Sequence, residues 1–253
     1  MDKAQTNEAP APADDADDMP LLAHIEALRW TILRSLLIVA VLFLPAVFAA
    51  PALIRFIIRT CVPPAMGKLH YFSPMEAFMA QLKMGLVLAF LAGAPFIACE
   101  IWRFIAPALY PREKRFTKGL FLVSSLLFIA GAAFSCLLIL PLVMRFSYSF
   151  SSEQLQPVIG LGAFLELCGG LLLAFGLMFQ TPLLLIFLVA TGVVRLKTLQ
   201  HTRRYAIIAI LVLSALLTPP DITSQLMLAL PTWLLFEAGL LAARAFAPKP
   251  DSP

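Results

Sequence analysis

Charge is scarce in this chain. Only 13% of its 253 residues are Asp, Glu, Lys or Arg, against about a quarter in soluble domains. With a mean hydropathy of +0.88, this excludes disorder over most of the chain and an ordinary water-soluble enzyme with one core. Cysteine is sparse too. Cys61, Cys99, Cys136 and Cys168 show no metal-ligand spacing. Three of them sit within apolar runs, where a thiol is a small core residue. Pairing of Cys61 with Cys168 would require both to lie near the outer surface. The GxxxxGK[ST], HExxH and GxSxG patterns are all missing. His24, His70 and His201 are far apart in the sequence. The chain therefore offers no catalytic constellation, and no metal, cofactor or nucleic-acid partner is expected.

What the chain has is apolar sequence: 60% of its residues. It falls into six runs, at about residues 30–50, 78–102, 120–144, 161–194, 205–217 and 226–243. The runs are unbroken and do not alternate, which argues against a β-barrel. In lipid a lone segment satisfies its backbone only as a helix, so the fold class is an all-α integral membrane protein with six transmembrane helices. The fifth run is short. Its roughly 13 residues span ~20 Å, against a hydrocarbon core of ~30 Å. It is joined to the sixth through Thr218, Pro219, Pro220 and Asp221, which predicts a tight hairpin of two short helices.

Basic residues set the orientation. The connection after run two carries Arg103, Arg112, Lys114, Arg115 and Lys118, and that after run four carries Arg195, Lys197, Arg203 and Arg204. The alternate connections are poorer in bases, so both termini are predicted to be cytoplasmic. Residues 1–19 read as a disordered acidic tail, with six acids against Lys3 alone. Residues 20–246 form the membrane domain, and 247–253 a short cytoplasmic tail. Residues 51–75 make the longest outer connection, kinked by Pro63, Pro64 and Pro74. No internal repeat is visible, which weighs against an inverted-repeat transporter.

A few polar residues stand out against this background. Leu21, Leu22, Ile25 and Leu28 recur at helical spacing with His24 and Glu26 off the stripe, as in a short amphipathic helix lying at the cytoplasmic interface. It either anchors the first span or forms, with His24, Glu26 and Arg29, a polar rim for a ligand. Pro111 suits the first position of a helix and places Glu113 in its first turn. Glu113 there is either a helix-terminal charge or an acceptor for an incoming guanidinium, with Phe104, Leu109 and Tyr110 as an apolar rim. Lys83 and Glu166, near the outer ends of their spans, are placed to pair, and Glu100 lies near the inner end of its own. Gln180 lies well inside the fourth run. Glu166 and Gln180 face within about 40° of each other, some 21 Å apart along one stripe. Polar groups at such depth either bond to neighbouring helices or serve function. Asp221 is a natural cap for the sixth helix.

Longer patterns carry a resemblance. Pro95, Glu100, Trp102, Phe104, Pro107, Leu109 and Glu113 form one. Ser73, Pro74, Glu76, Phe78 and Lys83 form a second. Phe175, Gly176, Phe179 and Pro182 form a third. Arg203-Arg204-Tyr205 and the stretch from Thr218 through Gln225 and Pro231 to Glu237 form the last. Together they resemble the TatC family, the multispanning subunit of the bacterial twin-arginine protein translocase, over roughly residues 20–246. The resemblance implies a glove-shaped six-helix protein of the bacterial inner membrane with a concave face, and a receptor for signal peptides with adjacent arginines. It implies that Glu113 accepts those arginines, with Phe104 and the segment carrying His24, Glu26 and Arg29 nearby. It further implies export of folded proteins on the proton-motive force, in a multimeric complex with the single-span TatA and TatB. Gln180, Phe179, Thr218, Pro219, Asp221 and Gln225 would then contact partner helices. Two departures are visible. The family motif His-Leu-x-Glu-Leu-Arg-x-Arg reads His24-Ile25-Glu26-Ala27-Leu28-Arg29-Trp30-Thr31 here. The glutamate is displaced by one position, about 100° around a helix, and the second base is lost. In the fourth span, Phe-Glu-x-Pro becomes Phe179-Gln180-Thr181-Pro182, so a carboxylate gives way to a neutral amide.

Overall fold

The computed structural model describes residues 18–64, 69–105, 114–151, 158–194, 196–217 and 222–245. The described residues are helical apart from short turns and one isolated bridge between His70 and Gly160. Helix α1 (Asp18–Cys61) is followed by α2 (Pro74–Ile105). Next come α3 (Lys114–Phe134), a π-helical turn (Ser135–Ile139) and α4 (Leu140–Ser149). Then α5 (Leu161–Met178) and α6 (Thr181–Ala190) run almost end to end. The short α7 (Leu196–His201), α8 (Arg203–Leu217) and α9 (Ile222–Ala245) complete the order. Among the described residues, five helical stretches are long and apolar enough to cross a membrane: Ile25–Cys61, Pro74–Phe104, Gly119–Ser149, Leu161–Ala190 and Gln225–Ala245. With 15 residues, α8 is shorter than any of them.

Four features differ from the sequence reading. The amphipathic segment is not a separate interfacial helix: α1 runs without a break through Pro45 and Pro51 to Cys61, 44 residues or about 66 Å. Two prolines each remove a backbone bond. Burial of Ala50, Ile57 and Cys61 against the core holds the second half helical. The expected outer connection thus begins only after Cys61. The third span contains a π turn just before Pro141. That proline has no N–H to offer the preceding turn, and the wider turn accommodates its ring. The fourth span is broken at Phe179 and Gln180 by Pro182, which opens α6. The last helix is not short: α9 has 24 residues and passes through Pro231.

The main core joins the far end of α1 to α2, the π turn, α4 and α5 through Ile57, Met84, Ile139, Leu140, Leu165 and Phe175, all nearly or wholly inaccessible. A second cluster, Leu185, Phe236 and Leu240, ties α6 to α9. Small residues set how closely the helices approach. A methyl group added at Gly131 of α3 would overlap the Phe175 carbonyl of α5, and one at Gly85 of α2 would lie 2.6 Å from the Val47 side chain of α1. Lipid is as apolar as leucine, so close backbone approach and buried polar contacts do the work that water drives in soluble proteins.

Candidate functional site

The two ends of the bundle are built differently. At the end carrying the α1–α2 and α4–α5 connections, backbone bonds splice the two connections together. The His70 N–H donates to the Ile159 carbonyl at 3.1 Å, and the Leu161 N–H donates to the His70 carbonyl at 2.7 Å. Glu76 in the first turn of α2 completes the splice by accepting the Phe72 and Gly162 N–H groups, both at 2.7 Å. Below it, Lys83 of α2 and Glu166 of α5 form the anticipated ion pair at 3.0 Å, and both side chains stay more than half exposed.

Midway along the bundle, Gln180 faces Ser124 of α3. The Ser124 hydroxyl donates to Gln180 Oε1 at 2.8 Å, and Gln180 Nε2 donates back to the Ser124 carbonyl at 2.8 Å. The amide is therefore engaged within the chain, at the break between α5 and α6. Neighbouring Phe179 stacks obliquely on Phe134 at 5.4 Å. On α9, Gln225 donates to the Leu211 carbonyl of α8 at 2.9 Å. Glu237 accepts from Arg203 Nη2 at 2.8 Å, so polar bonds fasten α8 to α9 at the first residue of α8 and near its middle.

At the end carrying the α2–α3 connection, Glu100 sits between two guanidiniums, Arg34 of α1 at 3.5 Å and Arg103 at 3.9 Å. Trp102, one residue before Arg103, is buried edge-on against Phe187 at 5.5 Å, and Phe104 is half-buried in the last turn of α2. Glu26 and Arg29 are exposed on the first turns of α1, which also contains His24. Glu113, Thr218, Pro219 and Asp221 lie outside the described residues. All four cysteines are free thiols; Cys61, buried, donates to the Cys136 carbonyl at 3.3 Å and does not pair with Cys168. Sequence reasoning missed Arg34 and Ser124. Each is a polar residue inside an apolar run, the same signal that singled out Glu100 and Gln180, and each supplies the partner that makes burial tolerable.

These features define a multi-pass helical membrane protein in which Lys83 and Glu166, Ser124 and Gln180, Arg34 and Glu100, and Arg203 and Glu237 pair across helices. The model of the family described as Sec-independent protein translocase protein (TatC) matches residues 23–231. The TatC protein of Haemophilus influenzae is 35% identical over 237 residues, covering 93% of each chain. That of Escherichia coli K12 is 32% identical over 239 residues, covering 92% of this chain and 91% of the relative. A crystal structure described as the twin arginine translocase receptor TatC superposes with a TM-score of 0.80 at 29% identity, over 88% of this chain and 99% of the other. The chain belongs to the TatC family. It is a membrane subunit of a protein translocase and not an enzyme.

Proposed function

We propose that this chain is the signal-peptide receptor and core subunit of a twin-arginine translocase, exporting folded proteins across the bacterial inner membrane on the proton-motive force. The observation that carries the reading is the likeness, over nearly its whole length, to a solved structure described as a twin-arginine translocase receptor. In this reading α8 is a sixth, short crossing, both termini are cytoplasmic, and the acidic residues 1–19 form a tail outside the membrane domain. Glu113 accepts the arginine pair, with Phe104, Glu26, Arg29 and His24 around it. The single-span TatA and TatB partners dock on the membrane face that includes Phe179 and Gln180 and on the α8–α9 hairpin with Thr218, Pro219, Asp221 and Gln225. Lys83 and Glu166 keep a polar foothold near the outer surface. A bidentate guanidinium contact to a carboxylate is worth more than a point charge, so the decisive variant is Glu113→Ala. It is expected to abolish photo-cross-linking of a twin-arginine signal to the α2–α3 connection in membranes holding the complete translocase. Undiminished cross-linking sinks the assignment.

A further inference from the structure

Glu100 has a setting that pairing alone does not account for. Its carboxylate is 18% exposed, and its two oxygens are divided between two arginines, Oε2 to Arg34 and Oε1 to Arg103. One cation neutralises one carboxylate. Two leave the cluster with an excess positive charge and repel each other. The contacts are correspondingly long, at 3.5 and 3.9 Å, and the arginines remain 52% and 72% exposed. The carboxylate thus already holds two guanidiniums, one per oxygen, and holds both loosely.

The face of α1 involved is informative. Ala27 stands where the family motif has its glutamate. Arg34 follows it by seven residues, about 700° or within 20° of two full turns, so both lie on one face of α1. That face is the one Arg34 presents to Glu100. Glu26, displaced by one position, points about 100° away. The same face of α1 thus lacks a carboxylate at Ala27 and meets one from α2, Glu100, about 10 Å or two turns further along at Arg34. Glu100 lies five residues before the end of α2 at Ile105, about 8 Å or one and a half turns from the α2–α3 connection.

We propose that Glu100 is a second acceptor for the arginine pair of the signal, and that Arg34 and Arg103 are resident occupants which the incoming arginines displace. The proposal rests on the receptor reading above. Displacing a resident cation by another leaves the mostly buried Glu100 paired throughout, while the displaced guanidiniums, already 52% and 72% exposed, turn outward without being buried unpaired. It also makes a directional prediction: removing a resident improves binding.

The test uses the full chain in lipid nanodiscs and a dye-labelled synthetic peptide with an arginine pair, its Kd read by fluorescence anisotropy. Arg34→Gln is expected to tighten binding about two- to fivefold, the range of a lost weak surface ion pair. Glu100→Gln is expected to weaken binding about tenfold or more, as loss of an acceptor for a charged donor. In the double variant the gain from Arg34→Gln disappears. Lys197→Gln removes a base without touching Glu100 and leaves the Kd unchanged. The proposal is overturned if Arg34→Gln binds no tighter than the natural chain, or if Lys197→Gln tightens binding as much. The Arg34 arm stands even where Glu100→Gln fails to fold. If Glu113→Ala abolishes binding while Glu100→Gln and Arg34→Gln leave it unchanged, Glu100 is structural and the receptor reading survives. If a peptide with a lysine pair binds as well as one with an arginine pair, the receptor reading fails and this proposal with it.

Discussion

The Gln180–Ser124 clasp lends itself to a quantitative test. Gln180→Ala removes two hydrogen bonds, both at 2.8 Å, between the α5–α6 break and α3. Interhelical side-chain bonds in membrane proteins average about 0.6 kcal/mol and reach about 1.7. Two of them are thus worth about 1–3 kcal/mol together. Part is recovered in the variant. The buried Ser124 hydroxyl can turn to the carbonyl one turn back on its own helix, as Ser125 does to Phe121 at 2.9 Å. The expected loss is therefore about 1–2 kcal/mol. A double-mutant cycle with Ser124→Ala isolates the hydroxyl–amide bond alone, because Gln180 Nε2 still donates to the backbone carbonyl in that variant, and is expected to give a coupling of about 0.5–1 kcal/mol. The assay is unfolding of the purified protein in mild detergent, followed by circular dichroism over a denaturant series. Additive losses, with no coupling, would refute the claim that these two residues act as one clasp. Gln180→Glu makes a sharper arm. The carboxylate still accepts from the Ser124 hydroxyl, but its second oxygen then faces the Ser124 carbonyl, so one bond is kept and one becomes a repulsion. The variant is expected to be less stable than the natural chain although it restores the family's residue.

Two further perturbations probe the frame around the clasp. Gly131→Ala places a methyl against the Phe175 carbonyl and 2.8 Å from the Phe179 ring. The overlap is expected to lower stability by about 1–3 kcal/mol, more than the roughly 1 kcal/mol that alanine gains in helix propensity, as read by the same unfolding assay. Glu76→Ala removes the acceptor of the Phe72 and Gly162 amides. Hydrogen exchange at those two amides is expected to speed up by about an order of magnitude, with the amides of α5 beyond its first turn unaffected.

Much of this protein is legible in its sequence, because lipid enforces a simple rule. Long apolar runs must be helices, and each polar residue within them must find a partner. The positions of α2, of the third and fourth spans and of the short α8 follow from the runs alone. So does the suspicion that Lys83 and Glu166 pair, which their helical depth suggests and the 3.0 Å contact bears out. The family is legible too, since motifs such as the stretch from Thr218 to Glu237 are long enough to be specific.

Other features needed the tertiary structure. Whether a proline ends, breaks or merely interrupts a helix depends on what packs around it. Pro51 lies inside an uninterrupted α1, held by a buried far end, whereas Pro182 splits the fourth span where the Gln180 amide turns to Ser124. Partners distant in sequence are likewise invisible along the chain. Arg34 meets Glu100 across 66 positions, and Ser124 meets Gln180 across 56. Hydropathy is a property of one segment and its solvent, so the sequence determined which segments enter the membrane. Polar pairing and close backbone approach belong to two helices at once, so only their packing decided which residues meet.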